Sequence, residues 1–394
     1  MARVRLALLR RWTELRAVST DRLEARRIAM GAPLDRFTTA FWRRIMGHRS
    51  WRRLDPTLWD WELAYGPVID SLKPDIIHAN DFRMVGVGAR AATRARARGR
   101  DVRLVWDAHE FLPGMRPWNP HPRWHVAQLA HEREYAPLAD AVVTVSDVLA
   151  DLLVAEHGLT EPPTVVLNAP ELASDGVATD PTAPSIRASC GLADDVPLLV
   201  YSGSAAAPRG LEVMVESLAL LPEAHVALVV SQPKSAYVKG LRQRANDLGV
   251  TDRLHVLDYV PVPQIVGFLA SADVGVIPIL HFPNHEISLI TKFLEYSQAR
   301  LPIVVSDVKA MAATVRATGQ GEVFAAGSVE DFARAVTVVL DNPEAYRTAY
   351  DQPDLLPAWT WEAAADTLDG VYSRLRAEQL ARSSPDPAPR TQGR

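Results

Sequence analysis

The sequence predicts an α/β protein of two domains, each built on an open parallel sheet, facing each other across a cleft. Three observations carry that prediction. The chain has 394 residues, too many for one ordinary core. From residue 72 onward, short apolar runs alternate with helical stretches, the signature of parallel strands joined by helices. A segment over 171–197, rich in Pro, Ala, Ser, Thr and Asp, divides that alternation into two series.

In the first series, strands are expected over 75–78, 102–106, 141–145 and 164–167, with a helix over 85–98. Ser146 or Asp147 caps the helix after the third strand. The second series places strands over 198–201, 226–230, 254–257, 274–277 and 303–305. The resulting organisation is an N-terminal domain over 1–170, a linker over 171–197 and a C-terminal domain over 198–358. A helix over 359–380 follows, then a Pro-containing, apolar-poor tail over 381–394 that reads as disordered.

The first 53 residues differ in character. They hold fourteen Arg, no Lys and four acids, a local excess of ten positive charges. Phe37, Phe41 and Ile45 recur at i, i+4, i+8 and draw one apolar stripe on a helix, flanked by Arg36, Arg43 and Arg44. The simpler reading packs that stripe on the domain. The sharper alternative lays it on a membrane surface.

Composition excludes several classes. With 48% hydrophobic and 23% charged residues the chain is globular. A net charge of -4 argues against a general nucleic-acid binder. One cysteine, Cys190, allows no internal disulfide or thiolate cluster. No apolar run reaches the roughly 18 residues of a membrane span, and residues 4–9 are too short for a secretory signal. The expectation is a cytoplasmic protein, with peripheral contact at the inner membrane face as the alternative. No spacing suits a metal, so neither metal nor cofactor is expected. Gly-x-Ser-x-Gly and the Walker P-loop are absent.

Ligands of open α/β sheets bind beyond the carboxyl ends of the strands, so those positions supply the candidates. After the strand at 198–201 come Gly203, Ser204 and Arg209: the glycine admits a close ligand, and the guanidinium fork suits phosphate oxygens. Within 284–296, Ser288 is a candidate N-cap, and Lys292 and Glu295 share its helix face. A carboxylate at Glu295 can accept from ribose hydroxyls. Two polar clusters, His78 to Asp81 and Asp107 to Glu110, end strands of the first sheet and include His109.

Together these segments resemble glycosyltransferase family 4, also called group 1. The resemblance rests on residues 73–81, 105–111, 139–146, 168–170, 201–211 and 292–296, and spans about 70 to 375. It implies the GT-B fold, with two Rossmann-like domains. It also implies retaining, metal-independent transfer from a nucleotide-diphosphate sugar to a glycan, lipid-linked or small-molecule acceptor, in cell-surface glycan or polysaccharide synthesis. It casts His109, Arg209 and Lys292 as catalytic, and Gly203, Ser204, Arg209, Glu286, Ser288, Lys292 and Glu295 as donor-binding. Asp81 and Glu110 fall on the acceptor side. Ser204 stands where the family has Arg, and Ile287 where it has the first of two glutamates, with Glu286 as the substitute. The first elements of the N-terminal domain are atypical or missing. Two other classes fit the same residues: a non-catalytic nucleotide-sugar-binding relative, and a GT-B-type nucleotide-sugar epimerase.

Overall fold

The computed structural model describes residues 33–115, 121–171 and 185–383. Most of the basic N-terminal stretch, much of the linker and the tail from 384 lie outside the described residues. The chain divides into two compact units, each taken by itself.

The first unit comprises the described residues within Met1–Asp107, Met115–Asp140 and Glu156–Gly158. A helix over residues 33–46 precedes α1 (Leu58–Leu72), β1 (Ile76–Asn80), α2 (Asp81–Ala97), β2 (Arg103–Ala108) and α3 (Pro122–Tyr135). β1 and β2 are parallel, with Asn80 opposite Asp107. α2 lies close on them because its inner face is small: a Cβ on Gly88 would stand 2.7 Å from the Leu104 side chain. Its outer face is tied to α1 by Arg90 Nε to Glu62 at 2.8 Å and Arg94 Nε to Asp70 at 2.9 Å.

The packing expected of the first helix is overturned. Phe37 is 70% exposed and Ile45 60%. The opposite face meets the unit instead, with Thr39 buried and Asp35 paired to Arg123. The apolar stripe points outward.

The second unit comprises Ala108–Gly114, Ala141–Ala155 and the described residues of Leu159–Arg394. It begins with β3 (Ala141–Thr144), α4 (Asp147–His157) and β4 (Thr164–Val165), the two strands parallel. Ser146 Oγ accepts from Leu149 N at 3.2 Å, the expected cap. The linker is not structureless throughout: Ser185 caps a short α5 (Ile186–Cys190), which Gly191 ends at φ 67°.

Six strands follow: β5 (Leu198–Gly203), β6 (His225–Val230), β7 (Leu254–Asp258), β8 (Val274–Ile277), β9 (Ile303–Ser306) and β10 (Gly321–Phe324). Their helices are α6 (Glu212–Glu216), α7 (Ala236–Asp247), α8 (Val262–Leu269), α9 (Thr291–Gln298), α10 (Lys309–Thr318) and α11 (Val329–Asp341). α12 (Trp361–Ser383) comes last. The order is β10-β9-β8-β5-β6-β7, all parallel. Sequence reading missed β10, whose Gly-Glu-Val-Phe is short and interrupted by charge.

Side chains alternate between two cores. Leu199, Tyr201, Val226 and Leu228 enter one with α6, α7 and α11. Leu198, Val200, Ala227 and Val229 enter the other with α8, α9 and α10. Burial on both faces explains why these strands read as unbroken apolar runs.

Strand order reverses between β5 and β8, and there the ladder stops early: only Leu199–Val274 and Val200–Gly275 pair. Beyond them Ser202 N donates to Tyr296 Oη at 2.8 Å. The Tyr296 ring fits because residue 275 is glycine; a Cβ there would lie 2.6 Å from the ring. Gly275→Ala should therefore cost about 1–3 kcal/mol by overpacking, read as a lower denaturation midpoint with unchanged m. A midpoint equal to wild type would mean that the ring moves aside freely.

Candidate functional site

A cavity of about 670 Å³ opens beyond the C-terminal end of β5, the switch-point position where such sheets bind ligands. Its walls bring together Gly203, Ser204, Arg209, Lys292 and Glu295 with Tyr201, Tyr259 and the Asn168–Pro170 segment. Five positions singled out from the sequence thus share one cavity.

Gly203 ends β5 at φ +144°, where a side chain is disfavoured and a Cβ would meet Tyr201 and Lys292 at 3.2–3.4 Å. Tyr201 Oη donates to Ser204 O at 2.8 Å and shapes the turn. Burial pushes that phenol up to about 12, against the pull of Arg209, so it remains a donor. Arg209 closes a 3₁₀ turn (Ala207–Arg209) ended by Gly210 at φ 64°. Its guanidinium has no hydrogen bond or ion pair among the described residues. A cation left unpaired on a cavity wall is a receptor for an anion.

α9 contributes Lys292 and Glu295 to the same cavity, one turn apart. Lys292 Nζ donates to Tyr259 Oη at 2.9 Å and to Glu295 Oε1 at 3.3 Å. Glu295 is 3% exposed, and its Oε2 is buried with no hydrogen-bond partner among the described residues, though 3.3 Å from the ammonium. Burial raises its pKa and Lys292 opposes the rise. The carboxylate lines the cavity and keeps acceptor capacity that no described side chain uses. Sequence reading missed Tyr259; its place directly after β7 was the available signal.

Glu286 and Ser288 do not line the cavity. Glu286 Oε1 pairs with His281 Nδ1 at 2.5 Å, and its Oε2 accepts from Lys309 N at 2.9 Å, satisfying an open amide of α10. Ser288 is not the N-cap of α9. Ile290 holds that position with no side-chain cap, and Ser288 Oγ turns back to Asn284 O at 3.1 Å. Ile287 is buried, and its carbonyl accepts from Ser146 Oγ at 2.5 Å. In the first unit, the two strand-end clusters meet: His78 Nε2 lies 3.2 Å from Asp107 Oδ2. Asp81 opens α2 at φ 72° and accepts from Phe82 N at 2.6 Å. His109 and Glu110 are exposed residues just past β2 and outside the cavity lining. No cluster of three or more His, Cys, Asp or Glu among the described residues could hold a metal, and no helix there is long and apolar enough to cross a membrane.

A doubly wound parallel sheet with a ligand-sized cavity at its switch point, lined by an arginine without a partner among the described residues, defines an α/β protein of the ligand-binding type. Comparison with known proteins narrows the class. Residues 25–173 match the family described as Glycosyltransferase Family 4, and residues 196–342 match Glycosyl transferases group 1. The D-inositol 3-phosphate glycosyltransferase of Mycolicibacterium smegmatis is 25% identical over 74% of this chain and 71% of its own. The alpha-D-kanosaminyltransferase of Streptomyces kanamyceticus is 26% identical over 50% of each. Among solved structures, sucrose-phosphate synthase from Thermosynechococcus elongatus superposes with a TM-score of 0.62 at 19% identity, covering 82% of this chain and 79% of its own. Anabaena HepE in complex with UDP-glucose gives 0.60 at 19%, covering 81% and 83%. The chain belongs to glycosyltransferase family 4, group 1, and its fold is GT-B.

One local network has a pH signature. His281 is held between Glu286 and Asp307, with Nε2 3.0 Å from Asp307. The Glu286 bond, chiefly, raises its pKa. The folded value exceeds the unfolded one, so the stabilisation is complete below about pH 6.5 and fades as pH rises through the raised value. Wild type should thus lose more stability than His281→Gln between pH 6 and 9 in chemical denaturation. Identical losses would show that the network contributes nothing.

Proposed function

We propose that this glycosyltransferase moves a hexose from a nucleotide-diphosphate sugar to a hydroxyl acceptor with retention and without a metal ion, in glycan or glycoconjugate synthesis. The observation that carries the reading is a cavity shared by Lys292, Gly203 and an Arg209 that has no partner among the described residues. Relatives support the donor class: Anabaena HepE is solved in complex with UDP and with UDP-glucose.

Cleaving the bond between sugar and phosphate leaves negative charge on the diphosphate while positive charge grows on the sugar. Arg209 and Lys292 stabilise that diphosphate most as it departs, which turns a binding contact into a catalytic one. The acceptor hydroxyl oxygen bonds to the anomeric carbon on the face the diphosphate leaves, and its proton passes to a phosphate oxygen. The Glu295 carboxylate accepts from the ribose. Gly203 and Ser204 offer backbone to the phosphates, while Glu286 and Ser288 shape the loop rather than touch donor. His109 sits by the transferred sugar, with Glu110 and Asp81 on the acceptor side.

We also propose peripheral contact with anionic lipid through the helix over 33–46. Its support is the outward-facing Leu34, Phe37, Phe41 and Ile45 beside Arg36, Arg43 and Arg44. An exposed apolar stripe flanked by arginines suits a charged interface.

Arg209→Ala should lower turnover by roughly 10²–10³, and Arg209→Lys by less, because a point charge replaces the fork. Glu295→Gln should chiefly raise the donor KM, since ribose contacts serve ground and transition states alike. Near-normal turnover in Arg209→Ala sinks the diphosphate assignment. Changing both Phe37 and Phe41 to Ser should reduce co-sedimentation with phosphatidylserine vesicles while leaving the melting temperature in place. A wild type indifferent to those vesicles rules the contact out.

A further inference from the structure

We infer that Tyr259 is a positioning residue, holding the Lys292 ammonium in the cavity while its stem lies beside Gly203, in the turn where the resemblance expects an arginine at Ser204. The inference rests on the donor reading above and adds to it a residue that the reading does not use.

The ammonium has three N–H donors. One goes to Tyr259 Oη at 2.9 Å, and Nζ stands 5.2 Å from the centroid of the same ring. A second faces Glu295, whose two carboxylate oxygens are each 3.3 Å away. The phenol contact is the shorter, although a carboxylate in a buried setting is the stronger attractor. Tyr259 therefore competes with Glu295 for the cation through its hydroxyl oxygen. Tyr259 is itself anchored, packing with Val260 against the core beneath the cavity. The lysine stem is flexible. Without the hydroxyl it lets the ammonium collapse fully onto Glu295, occupying the acceptor atom and withdrawing charge from the anion. With the hydroxyl in place, the third N–H stays available to a phosphate oxygen.

Titration calorimetry with inorganic pyrophosphate and with UDP, on wild type, Tyr259→Phe, Lys292→Met and the double variant, tests this. Tyr259→Phe keeps the ring and should weaken pyrophosphate on the order of tenfold, the scale of one charge-assisted contact. Lys292→Met should weaken it at least as much. In the Lys292→Met background Tyr259→Phe should change nothing further, because the tyrosine acts through the lysine. An equal loss in both backgrounds means that Tyr259 touches the anion itself and overturns the inference. So does an unaffected Tyr259→Phe beside a weakened Lys292→Met, with the donor reading left standing. An unaffected Lys292→Met removes Lys292 from the phosphates and overturns the inference as well, while Arg209 still carries the donor reading. If wild type binds neither ligand, the donor reading falls and the inference falls with it.

Discussion

The site depends on one side chain that never reaches it. Where β5 and β8 part company, the sheet has an amide at Ser202 with no strand to pair it, and Tyr296 supplies the acceptor. A buried amide without a partner costs about 1–3 kcal/mol, so the hydroxyl does more than fill space. Its ring occupies the hollow above Gly275, and Tyr296 is fully buried. The next residue along the chain toward the N-terminus is Glu295, and Lys292 lies one turn before Tyr296 on α9. Fixing Tyr296 in the split therefore fixes the rotation of α9, and with it the aim of both cavity-facing charges.

Much of this was legible in the sequence. The inner strands β5, β6, β8 and β9 were marked by runs of β-branched and aliphatic residues, because a parallel strand buried on both faces leaves little polar alternation to blur it. The positions after strands yielded Gly203, Arg209, Lys292 and Glu295 for the same topological reason. What the sequence hid was the partnering of polar side chains. Glu286 and Ser288 are the right residue types near the right place, but Glu286 turns to His281 and an α10 amide, and Ser288 to Asn284. Those bonds depend on loop geometry that spacing does not encode. The Phe37 stripe was misread for a related reason: periodicity identifies an apolar face without saying what covers it.

The distribution of charge in the cavity departs from the resemblance in a coherent way. Ser204 removes one cation from the β5 turn, while Lys292 brings one from α9 to the side of the same turn, its stem beside Gly203. A guanidinium offers a fixed fork, whereas an ammonium on a long stem must be told where to stand. The surroundings of Lys292 are correspondingly crowded, with a carboxylate on one side and an aromatic ring on the other. Buried Ile287 fits the same picture, since its carbonyl rather than its side chain is used, by Ser146.

Strand order has a consequence for the birth of the chain. During synthesis β5, β6 and β7 emerge first and can pair at once, because they are neighbours in sequence and in the sheet. β8 follows and joins not β7 but the far side of β5, so until then β5 presents unpaired backbone amides and carbonyls, flanked by apolar side chains, to its surroundings. Such edges are templates for pairing with other nascent chains. Tyr296 arrives later still, more than ninety residues after the amide it completes. The nascent protein thus has its most aggregation-prone interval while the stretch from β8 to α9 leaves the ribosome, and chaperone dependence or slowed translation should matter most there.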